Sequence, residues 1–140
     1  MNALSQHLRM AFHVEGVLAT LMISRDGLLI EGYANDEIDL DAMAAMVSRG
    51  VDHCESLSSE FYAKRMDWMM LRGEGRSIWI KELTDDVFWV LLVEEGDWLK
   101  RLDGWVDEWV PMAGELKESV SRSMETLAGP QGWTIGDENG

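Results

Sequence analysis

The sequence predicts an α+β domain, in the order α-β-β-α-β-β-β-α, built on a mostly antiparallel sheet. Three observations carry this. Two apolar runs flank Asp26-Gly27 within Val14–Tyr33, VEGVLATLMISRDGLLIEGY, and such a glycine dipeptide is a strong hairpin signal. Three further short runs, MDWMMLR, SIWIKEL and VFWVLLV, follow one another across the tight turns Gly73-Glu74-Gly75 and Thr84-Asp85-Asp86, as a meander does. Apolar residues return to helical spacing before the hairpin, between hairpin and meander, and after the meander.

Composition sets the outer limits. The 140 residues suit one domain, read as residues 1–127 followed by a mobile tail, 128–140. A net charge of −14 disfavours nucleic acid and anionic membranes. The single Cys54 excludes an internal disulfide and suits a reducing compartment. The longest apolar run, Val87 to Val93, is too short to cross a bilayer as a helix, and no signal segment opens the chain. A cytoplasmic protein without membrane insertion is expected. Seven Trp and ten Met supply core material and also suggest surfaces meant to be covered.

In chain order, Asn2 to about His13 carries Leu4, Leu8, Ala11 and Phe12 at helical spacing, and Gly16 ends it. In the hairpin, a two-residue loop places Leu21 opposite Gly32, Met22 opposite Glu31 and Ile23 opposite Ile30. Val17, Ala19, Leu21, Ile23 and Ile30 then form the core face. A second helix is expected from Leu40 to Glu60, capped by Asp39. Its apolar stripe reads Met43, Met46, Val47, Gly50, Cys54 and Leu57, diluted by small residues that let another backbone approach. Strands follow over Met66–Arg72, Ser77–Leu83 and Val87–Val93. The last is apolar on both faces and belongs mid-sheet, with Asp85, Asp86, Glu94 and Glu95 as flanking charges. The final helix carries Trp98, Leu102, Trp105, Trp109, Met112 and Leu116 as one stripe, with a kink expected near Val110 because of Pro111.

These residues resemble the Roadblock/LC7 family over roughly Leu4 to Val110. The likeness rests on Gly16-Val17, on Arg25-Asp26-Gly27-Leu28, on Asp39-Leu40-Asp41-Ala42-Met43-Ala44-Ala45-Met46, and on the strands either side of Thr84-Asp85-Asp86. The resemblance implies a five-stranded antiparallel sheet with the long helix on one face and the terminal helices on the other. It also implies a homodimer, or a heterodimer with a paralogue, formed by pairing third strands and middle helices. Members of the family regulate small Ras-like GTPases, scaffold larger complexes or serve as light chains of motor complexes such as dynein. The Trp-rich final helix and the Gly-rich tail depart from the pattern.

The third strand is expected to be an open sheet edge, which needs cover. The expected dimer interface is Met43, Met46, Gly50, His53, Asp67, Trp68, Met69 and Met70. No phosphate loop is present. Adjacent helical residues diverge by about 100°, so His53 and Cys54 do not converge on a metal. No catalytic, cofactor or metal residue is expected, and the chain does not read as an enzyme. Arg25 and Arg76 lie in turns where an arginine finger is conceivable, but surface solvation is the expected role of each. The leading reading is a dimeric regulatory or scaffolding adaptor. The alternative is a small-ligand sensor with an apolar metabolite between sheet and helices.

Overall fold

A computed structural model describes residues 3–35, 37–61, 67–94, 96 and 98–128. The described elements are α1 (Ala3–Phe12), β1 (Val17–Ser24), β2 (Leu29–Ala34), α2 (Leu40–Glu60), β3 (Trp68–Arg72), β4 (Arg76–Thr84), β5 (Val87–Glu94), α3 (Trp98–Gly104), a π turn (Trp105–Trp109) and α4 (Val110–Ala128). The Asn2 cap, Met66 at the start of the third strand, Glu95, the side chain of Trp98 and the tail beyond Ala128 lie outside the description.

All pairings in the five-stranded sheet are antiparallel, and its order is β2-β1-β5-β4-β3. β5 lies in the middle and is buried from Val87 to Val93, which its two-sided apolar sequence requires. β2 and β3 are the edges. On one face Ala44, Val47 and Val51 of α2 pack on Leu21, Ile23, Ile80, Phe88 and Val90. On the other, Leu8 and Ala11 of α1 and Trp109, Ala113, Leu116 and Val120 at the C-terminal end pack on Met22, Trp79, Trp89 and Leu91. Each face alternates along its strands, so a one-residue slip would exchange the two cores.

The hairpin holds the expected register at Leu21↔Gly32 and Met22↔Glu31, then shifts so that Ile23 meets Leu29. The shift turns Ile30 outward, 48% exposed, instead of into the core. A second irregularity between Val17 and Ala19 moves Val17 to the face of the terminal helices. Strand β1 therefore does not have one core side, because both of its faces are buried.

The Asp39 side chain accepts a hydrogen bond from the Ala42 amide at 3.1 Å and starts α2 where the sequence predicts. At the C-terminal end the irregularity comes before Pro111. Its ring would clash with the Asp107 carbonyl of a regular helix. The chain instead widens into the π turn, where the Val110 amide reaches back to the Trp105 carbonyl. Helix α4 then starts with Pro111 in its first turn, where a missing N–H costs nothing.

Five tryptophans form a layer under this turn. Trp79 meets Trp109 edge-on at 5.1 Å, and Trp68 meets Trp105 at 6.0 Å and Trp89 at 6.2 Å. Trp79 and Trp109 are buried, while Trp68, Leu102 and Trp105 are partly buried against the same cluster. The Trp89 indole N–H donates to the fully buried Thr20 hydroxyl at 2.9 Å.

Candidate functional site

The sequence-predicted interface residues fall on two features, helix α2 on one sheet face and the β3 edge. The first is α2. Its sheet-facing line is Ala44, Val47, Ser48 and Val51, about 140° around the helix from the line Met46, Gly50, His53 and Leu57 at 100° per residue. Met46 is 65% exposed and Leu57 61% exposed. His53 is also exposed, and Gly50 is partly exposed. Met43 and Cys54 border the line and are partly buried. The apolar stripe expected from the sequence is thus two surfaces, and only Val47 and part of Met43 belong to the core. Phe61, at the C-cap, extends the exposed apolar line.

The second feature is β3, bonded on one side to β4 and forming a sheet edge on the other. Met69 packs toward the α2 side and Leu71, on the same face, is exposed. Trp68 and Met70 point to the opposite face and pack toward the terminal helices. Asp67 precedes the strand, is exposed, and forms an ion pair with Lys81. Of the expected interface, then, Met46, His53 and Asp67 stand in solvent, Met43, Gly50 and Met69 lie partly exposed on the α2 side, and Trp68 and Met70 face the other core.

Sequence reasoning missed the charge cluster beside this surface. Arg25 is not a solvated surface arginine. Its guanidinium donates to Glu55 of α2 at 2.5 Å, to Glu82 of β4 at 3.0 Å and to the Asp85 carbonyl at 2.7 Å, and lies over the Phe88 ring. The hydrogen bond to Glu55 raises its pKa, with the charges of Glu55, Glu82 and Asp52 adding to it and partial desolvation opposing. The Ser48 hydroxyl donates to the Arg25 carbonyl at 2.5 Å. A side chain at Gly27, where φ is +92°, would meet Ser48 Cβ at 3.2 Å and the Ala45 Cα at 3.3 Å. Helical spacing of Ala45, Ser48 and Glu55 was the available signal for this docking face. Arg76 is exposed at the β3–β4 turn.

Surface clefts beside Arg25, beside Lys81 and beside the π turn are each bordered by charged side chains. Among the described residues no group of three His, Cys, Asp or Glu is placed to hold a metal ion. Among them also, no helix is long and apolar enough to cross a membrane.

A sequence profile of the Roadblock/LC7 domain matches residues 5–93. No curated protein sequence matches the chain. Among solved structures, an MglB with tetrameric arrangement is 18% identical, with 87% of this chain and 93% of that one covered at a TM-score of 0.71. The gliding protein MglB of Thermus thermophilus is 17% identical over 87% and 91%, with a TM-score of 0.67. A Roadblock/LC7 domain from Streptomyces avermitilis is 17% identical over 89% and 97%, also at 0.67. At these identities the likeness is one of fold.

Proposed function

This chain belongs to the Roadblock/LC7 domain family, and from that premise we propose that it works as a dimeric, non-catalytic adaptor in the cytoplasm. Two copies, or one copy and a paralogue, pair through β3 and α2 and present a joint surface to a small Ras-like GTPase or to a larger complex. The interface is Met43, Met46, Gly50, His53, Asp67, Trp68, Met69 and Met70, with Trp68 and Met70 contributing backbone rather than side chains. One domain, residues 1–127, carries the activity, and the tail 128–140 stands outside it.

The observation that supports this reading most is the coincidence of an open strand edge with uncovered apolar side chains on the same face: Met46, Leu57 and Phe61 of the helical layer and Leu71 of the edge strand. Soluble proteins cover such edges. With a charge of −14 per chain, the partner's contact face is basic. Arg25 is held by Glu55 and Glu82, so action on a GTPase runs through ordering the GTPase's own groups rather than through an inserted Arg25.

A pull-down from source-cell lysate, run with GDP and with a non-hydrolysable GTP analogue, tests the partner. Retention of a small GTPase that differs between the two nucleotides is expected. Equal retention, or none, removes the GTPase and leaves the scaffold.

A further inference from the structure

We infer that the open edge of β2 takes up an extended, Lys- or Arg-rich segment of a partner protein, which adds there as a sixth strand. The inference goes beyond the adaptor reading and does not rest on it. Pairing through β3 uses the opposite edge of the sheet.

Among the described residues, β2 is bonded to β1 on one side and to no strand on the other. The Asn35 amide donates to the Leu18 carbonyl of β1. Backbone groups of an antiparallel pair alternate in direction along the strand. Tyr33, opposite Thr20, is therefore bonded inward, and Gly32 and Ala34 turn their N–H and C=O groups outward. The irregularity at Ile30 ends this regular run on the side of the hairpin tip. There Leu28 and Ile30 stand 68% and 48% exposed. Free donors and acceptors with apolar side chains next to them are what strand addition uses.

Charge selects the kind of strand. Residues 26–48 hold six carboxylates and no Lys or Arg. Asp26 is at the hairpin tip, Glu31 lies within β2, and Glu37, Asp39 and Asp41 lead from β2 into the first turn of α2. All of these but Glu31 are exposed. The nearby cations are already engaged, Arg25 by Glu55 and Glu82 and Arg9 over the Tyr33 ring. The opposite edge differs, since residues 72–81 carry Arg72, Arg76 and Lys81 against the single Glu74. The acidic character is thus a property of the β2 side, and complementary charge decides which segment it accepts. Two β2 edges would bring like charges together, which disfavours pairing of this edge with its own copy.

The probe is a capped ten-residue peptide of alternating Lys and Val, added to the full chain. Binding is read by fluorescence polarisation, and its place by amide exchange in NMR. The peptide should slow exchange at Gly32 and Ala34 by about tenfold or more, and higher salt should weaken it. A Glu–Val peptide of equal length should not bind. Nor should the Lys–Val sequence built from alternating D and L residues, which keeps the charge but cannot lie as a regular strand. Ala34→Pro removes an outward donor, a change that an edge strand tolerates. It should weaken binding about tenfold while thermal unfolding stays cooperative. Should that variant fail to fold, Asp26→Lys combined with Glu37→Lys must produce a comparable loss. No binding, binding that leaves the Gly32 and Ala34 amides unchanged, or equal binding by either control peptide overturns the inference. Protection of those two amides without peptide, growing with protein concentration, would put a second copy on the edge and overturn it as well.

Discussion

The Arg25 guanidinium donates to the Glu55 carboxylate at 2.5 Å, which fastens the β1–β2 turn to the last third of α2. Glu82 adds β4 to the same cation, and the Arg25 amide bonds the Asp86 carbonyl in the β4–β5 turn. One residue therefore joins three segments around the base of the helix whose other side is uncovered.

Arg25→Met is expected to cost about 1–2 kcal/mol, between the value of an exposed pair and that of a buried one, because Arg25 and Glu55 keep 31% and 28% of their side chains exposed. Urea unfolding monitored by circular dichroism measures it. The raised Arg25 pKa fixes the sign of its pH dependence. A cation whose folded pKa is raised contributes fully below its unfolded pKa and loses the contribution as pH rises through the folded value. The difference between wild type and variant that stems from Arg25 ionisation is therefore constant through the neutral range and shrinks only at strongly alkaline pH.

Gly27→Ala and Gly75→Ala separate strain from contact. Both glycines have positive φ, +92° and +85°, but among the described residues only Gly27 has neighbours in the path of a Cβ. Gly75→Ala should cost about 1–2 kcal/mol in strain alone, and Gly27→Ala about 1 kcal/mol more. Thermal or urea unfolding of the two variants measures both. Equal costs would mean that the hairpin tip does not rest on α2.

The tryptophan layer predicts an order of tolerance. Among the described residues the buried Trp105 indole nitrogen has no hydrogen-bond partner, so Trp105→Phe removes a donor unpaired there and should change stability by less than about 1 kcal/mol. Trp89→Phe leaves the buried Thr20 hydroxyl without its donor and should cost about 2–4 kcal/mol. Trp109→Ala, at 2% exposure, should cost about 3–5 kcal/mol. Thermal unfolding of the three variants gives the ranking.

The parts of the fold legible in the sequence are those set by local chemistry. Asp39 marks the start of α2, and Gly27 has the positive φ that its place in the hairpin requires. Long-range geometry was not legible. Glu55 and Glu82 lie 30 and 57 residues from Arg25, and no local pattern links them. Polarity alone put Met46 and Leu57 on one stripe with Val47, whereas Ala44, Val47, Ser48 and Val51 turn to the sheet and the hairpin tip, and Met46 and Leu57 are left outside. The bulge that turns Ile30 outward is likewise invisible to strict alternation. At Pro111 the disturbance was legible, but its form as a π turn upstream of the proline was not.

Mass in solution tests the central claim most directly. Light scattering at micromolar concentration should give twice the 15.9 kDa of one chain. Because each copy carries −14, raising the salt should strengthen the pairing by screening the repulsion. Met46→Glu, a change at a side chain already 65% exposed, should leave the fold intact and lower the mass toward one chain. A wild-type mass of one chain at both low and high salt would contradict the account as a homodimer.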